Sequence, residues 1–180
     1  MQITITSKHM LTVLYWLSWI ILTGLCVDAG SFIFNGIYTT TFNPAAADYF
    51  KLSELYHFDA GHYLVQLTFM TIVGCMKALM FYLIVMILHD KKLDLSRPFT
   101  PETGRFISNL SYLCFGAGLF SDWGSKYALW LSSKNITMPD SQALQLGGAD
   151  VWLFSGVLLL VIAQIFRKGI ELQHESDLTI

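Results

Sequence analysis

Lys77 interrupts an otherwise uncharged run, "YLVQLTFMTIVGCMKALMFYLIVMIL" (residues 63–88), near its midpoint. An ammonium at the centre of a bilayer costs ~2.5–3.5 kcal/mol on insertion scales, and each Leu, Ile or Phe of the same helix returns ~0.3–0.6. The helix can carry the lysine, but the charge still needs a partner, water, or a route to the surface along its own methylenes. Three chemistries follow: a structural ion pair, snorkelling, or an ion- or proton-coupled step in transport. The carboxylates inside other apolar runs are Asp28 and Asp122. With the helical rise, Lys77 lies ~16 Å from the edge that the cation distribution below marks as cytoplasmic, Asp28 ~27 Å and Asp122 ~24 Å. A pair with Lys77 must therefore close about 8–11 Å by extended side chains, tilt or water. The two aspartates match each other better in depth. With Asp150 they alternatively rim an acidic cup near Trp123 and Trp152, whose indoles suit a membrane interface.

The remaining constellations are weaker. "HFDAGH" supplies His57, Asp59 and His62, but the two histidines are five apart and diverge by about 140° on one helix, unlike the i, i+4 pair of a zinc helix. Asp59 as the cap of the following helix and His62 as an interface residue account for them. Glu171 and His174 form one Glu-x-x-His, where a di-iron bundle needs two such motifs and two further carboxylates. "GAGLFSDWGS" is not a nucleophile elbow, and no phosphate loop is present. Cys26, Cys75 and Cys114 fall in three different apolar runs and read as buried thiols. No basic stripe with interleaved aromatics suggests direct nucleic-acid binding. The expectation is a non-enzyme with no catalytic residue, cofactor or metal.

The elements that position these residues are legible in the composition. Of 180 residues, 54% are hydrophobic and 13% charged, with a mean hydropathy of +0.51, and the apolar residues gather in four blocks. Residues 10–34 form a first block that would extend roughly 37 Å as a helix, against the ~30 Å hydrocarbon core of a bilayer. It is too long for the apolar centre of a signal peptide. Residues 63–88, 106–131 and 149–166 complete the set. The expected fold is an all-α integral membrane bundle of four transmembrane helices in a single domain spanning residues 1–180. Outer loops would cover 35–62 and 132–148, an inner loop 89–105, and a polar tail 167–180. With both termini inside, Lys8, Lys91, Lys92, Arg97, Arg105, Arg167 and Lys168 are cytoplasmic, against Lys51, Lys126 and Lys134 outside, a bias that favours N-in, C-in. Arg167 and Lys168 then serve as the stop-transfer flank of the fourth span.

In the inner loop "HDKKLDLSRPFTPETGRF", Pro98 holds Arg97 extended and Thr100 can cap a helix beginning at Pro101, with Glu102 where the macrodipole favours an anion. Arg97 and Arg105 then stand at phosphate level. In the tail, Ile170, Leu172, Leu178 and Ile180 are spaced too irregularly for a strong amphipathic helix. "RPFTPE" after the second span, with "IFRKGIELQHESDLTI" after the fourth, resembles the bacterial family known as domain of unknown function 2975. The resemblance implies a small four-helix membrane protein commonly encoded beside a small helix-turn-helix transcription regulator, and no established biochemical activity. This chain departs from the common pattern in its long outer segments and in "ETGRF", where members more often carry Asn after the Glu.

The leading expectation is a multi-pass protein of the bacterial inner membrane that senses or signals through such a cytosolic regulator. Its contacts would be drawn from Arg97, Phe99, Glu102, Glu171, Glu175 and Asp177. The alternative is a small transporter or permeability or immunity factor using Lys77 with Asp28 or Asp122. Gly116, Gly118 and Gly156 permit close helix packing.

Overall fold

A computed structural model describes residues 7–90 and 99–177. Among these the chain is helical throughout its ordered elements, with no strand. The helices are α1 (Ser7–Thr41), α2 (Ser53–Phe58), α3 (Ala60–His89), α4 (Pro101–Ser132) and α5 (Ala149–Asp177), and a 3-10 helix (Pro44–Phe50) lies between α1 and α2. Three of them, α1, α3 and α5, are long and apolar enough to cross a membrane.

The four long helices lie in an open row, α1 on α3, α3 on α4 and α4 on α5, and α3 reaches α5 through side chains alone, as where Lys77 meets Trp152. Where the helices meet, small residues let them close: Gly74 faces Ala29 and Phe32, Gly118 faces Leu153, and Gly156 faces the Phe115 ring. The position of α4 inside the row explains its lower apolarity. Flanked by protein on both sides, it buries Thr103, Ser111, Ser121, Gly118 and Gly124, and Ser111 Oγ donates to the Gly156 carbonyl of α5 at 2.8 Å.

Both connections at one end of the row fold into a cap rather than loops. α1 continues two turns past the expected boundary at residue 34, because Asn35 and Thr39 find buried partners there. The Tyr63 hydroxyl lies 2.6 Å from Asn35 Oδ1 and 3.0 Å from Thr39 Oγ1, and Asn35 Nδ2 donates to the Ala46 carbonyl at 2.8 Å. Asn43 caps the 3-10 helix by accepting from Ala45 N, and the left-handed Lys51 ends it. Ala47, Leu52 and Leu55 of this segment join Ile136, Leu144 and Leu146 of the second connection in one core over Tyr63, Leu67 and Met70.

At the opposite end α4 begins at Pro101 as expected, with Thr100 Oγ1 accepting from Thr103 N at 3.2 Å. The tail differs from expectation. α5 runs on to Asp177 without a break, about 43 Å in all, since the segment holds good helix formers and a Lys168–Glu171 pair one turn apart at 3.0 Å.

Candidate functional site

After Ser132 the chain does not stay on the surface of the cap. Asp140 Oδ1 accepts from Ala143 N at 2.7 Å, a turn that sends Leu144 and Leu146 down between α3 and α4, and both become fully buried. Gln145 between them adopts a left-handed backbone, φ 55°, and Gly148, φ 77°, returns the chain to the start of α5. The segment reaches Ser121, about three helical turns below the end of α4. Backbone carbonyls packed between helices need donors to replace water. Leu146 O accepts from Ser121 Oγ in a short contact and from Ser125 Oγ at 3.3 Å. Gln145 O accepts from Lys77 Nζ at 2.9 Å.

This is the partner the sequence did not disclose. Lys77, half-buried, gives its charge to a backbone dipole and sits 5.8 Å from the centroid of the Trp152 ring, a cation–π distance. No ion pair joins it to either expected aspartate. Asp122 is held by Lys126 at 2.8 Å, one turn further along α4. Asp28 acts on Lys77 only through longer-range attraction across the α1–α3 contact. Asp28 and Asp122 are themselves separated by α3, and Trp152 is taken up by Lys77, so the structure does not assemble the acidic cup.

The histidine motif is distributed in the same way. Asp59 caps α3 by accepting from His62 N at 2.9 Å, and that bond holds its carboxyl below the usual carboxylate range. His62 Nδ1 lies 2.5 Å from Tyr127 Oη, with its ring against Phe58 and Trp130. Sequence reasoning also passed over Gln66, which is fully buried on the face of α3 that carries Tyr63, Met70 and Val73, with neither amide atom hydrogen-bonded. A lone amide in that apolar stripe was the available signal.

At the end away from the cap, the two short sequence motifs come together. Phe99 lies against α5, its ring centroid 5.2 Å from that of Phe166 and its edge over Gly169, where a Cβ would stand 2.6 Å from Phe99 Cδ1. Glu102 pairs with Arg105 at 3.4 Å and Glu171 with Lys168, while Glu175 and Asp177 lie on the last turns of α5. Arg97 lies outside the described residues.

Long apolar helices, buried hydroxyls bonded across helix contacts and a re-entrant segment whose carbonyls are met by side chains define a helical membrane protein. The chain belongs to the family described as "Protein of unknown function (DUF2975)", whose model matches residues 36–180. No curated protein and no solved structure matches it.

Proposed function

We propose that the chain is a four-span protein of the bacterial inner membrane, with both termini in the cytoplasm, that signals to a small cytosolic transcription regulator. The observation that carries this reading is the Phe99–Gly169 contact, which joins the two family-resembling stretches into one composite surface at the end of the row away from the cap. Glu102 from α4 and Glu171 and Glu175 from α5 belong to the same end, with Arg105 and Lys168 beside the first two, and give it a mixed charge. The fourth span is α4, whose 32 residues run between α3 and α5 and whose polar groups are turned into those contacts. The seven-to-three cation distribution supports the orientation. On this reading the cap receives the stimulus. The segment held by Lys77, Ser121 and Ser125 ties the cap to α3 and α4 and leads straight into α5.

Cysteine accessibility in a background lacking Cys26, Cys75 and Cys114 tests the topology. Ser53→Cys and Ser141→Cys should label from outside intact cells, and Ser96→Cys and Ser176→Cys only after permeabilisation. Affinity recovery from native membranes should then yield a helix-turn-helix protein with the parent chain, and none with a chain ending at residue 166. Inverted labelling of all four sites, or equal recovery with the truncated chain, would overturn the reading. The alternative, a small transporter built on Lys77, would be favoured instead by proteoliposome flux that Lys77→Met abolishes.

A further inference from the structure

The end of the row away from the cap holds a second feature, on the seam between α4 and α5. A cavity of about 210 Å³ opens there, lined by Gly104, Arg105 and Ser108 from α4 and by Ala163, Arg167 and Ile170 from α5. Its lining holds two arginines and no carboxylate. Arg105 also borders a neighbouring cleft between α3 and α4, where its ion-pair partner Glu102 and Asp90 lie. Arg167 makes no ion pair among the described residues, whereas the adjacent Lys168 is already occupied by Glu171. The floor is open because position 104 carries no side chain: a Cβ there would meet only Ile170 Cδ1 at 3.5 Å. The first turn of α4 forms one wall at Pro101 and turns the positive end of the helix dipole toward the cavity.

We infer that this cavity binds the phosphate of an anionic phospholipid headgroup. The Arg167 guanidinium can present paired donors to phosphate oxygens. Arg105, whose Nε donates to the Pro101 carbonyl and whose Nη2 pairs with Glu102, can add Nη1, and Ser108 adds a hydroxyl, although that group also donates to Gly104 O at 3.0 Å. The position favours a lipid over a free anion. Arg105 and Arg167 border the apolar lengths of α4 and α5, and one turn beyond Ser108 the exposed Tyr112 gives acyl chains an apolar surface to follow. The site needs only a membrane on this side of the protein and is independent of any regulator, so it stands or falls separately from the function proposed above.

The test is native mass spectrometry of the full chain, released from detergent in the presence of equal amounts of phosphatidylglycerol and phosphatidylcholine. One phosphatidylglycerol should be retained per chain. Arg105→Gln and Arg167→Gln should each lower retention about fivefold, while Lys168→Gln, which removes a charge of equal sign next to the site, should leave it unchanged. An excess of inorganic phosphate should not displace the lipid. Equal retention of phosphatidylcholine would overturn the inference. So would a loss in Lys168→Gln matching that in Arg167→Gln, or release of the lipid by inorganic phosphate alone.

Discussion

The ammonium of Lys77 donates to the backbone carbonyl of Gln145 across 2.9 Å, so the charge buried in α3 is matched by a loop peptide and not by an acid. The lysine is thereby part of the scaffold that holds residues 140–148 between the helices. Lys77→Met keeps the length and apolar reach of the side chain but leaves the carbonyl without its donor, at a cost of ~1–3 kcal/mol. Hydrogen exchange at Leu144–Gly148 should accelerate roughly tenfold or more, with little change at the ends of α3. Unchanged exchange in that segment would show that the bond does not hold it.

The same segment offers a coupling measurement. Leu146 O has two donors, Ser121 and Ser125, and either can cover for the other in part. Each single change to Ala should cost ~1 kcal/mol, and the double change should exceed the sum by ~0.5 kcal/mol or more, because only then is the carbonyl orphaned. Strict additivity in thermal unfolding would mean that a water already serves this carbonyl.

Gly169→Ala separates folding from surface shape. The new methyl overlaps the Phe99 ring, which is 39% exposed and can swing outward. The helix gains ~1 kcal/mol in propensity from the same change, which offsets the lost contact. Stability should stay within about 1 kcal/mol of the parent, while recovery of the proposed regulator falls to background. Full recovery would remove Phe99 from the recognition surface.

Acid should loosen the cap. Thr137 faces the exposed Glu54 carboxylate, bringing the two cap connections together, and its hydroxyl and backbone N–H hold the Glu54 pKa below its ordinary value of 4.5. A depressed folded-state pKa means that the tie stabilises the cap above pH 4.5 and is lost as pH falls through the lower folded value. Asp59, held down by His62 N–H, acts in the same direction from its own ordinary value of 3.8. Limited proteolysis of residues 133–148 should rise on acidification, and Glu54→Gln should show the raised rate already at neutral pH. If the parent and Glu54→Gln digest alike at pH 7, the tie contributes nothing.

What could be read in advance follows from which interactions leave a mark on residue type. The long apolar helices did, because burying twenty apolar residues requires them in sequence. So did the Thr100 and Asp59 caps, where a small polar side chain precedes a helix start. The partner of Lys77 left no mark, since a backbone carbonyl has no letter of its own. The descent of residues 140–148 was equally silent: Leu144 and Leu146 are two isolated apolar residues in a polar stretch, and their burial depends on the space left by Gly124 opposite Leu146. The helical tail carries no amphipathic stripe to announce it. α5 instead continues from a helix already nucleated, which needs no stripe of its own.

The open row of helices fixes an order of events during synthesis. Each long helix rests on the one made immediately before it, and the segment after α4 lands on α3 and α4, which both precede it. A helix emerging into the bilayer therefore meets its main packing surface already in place, and only side-chain contacts such as Lys77 with Trp152 wait for a more distant part of the chain. Closing such short-range contacts costs little chain entropy. The protein can be laid down like planks of a deck, each fastened to the last.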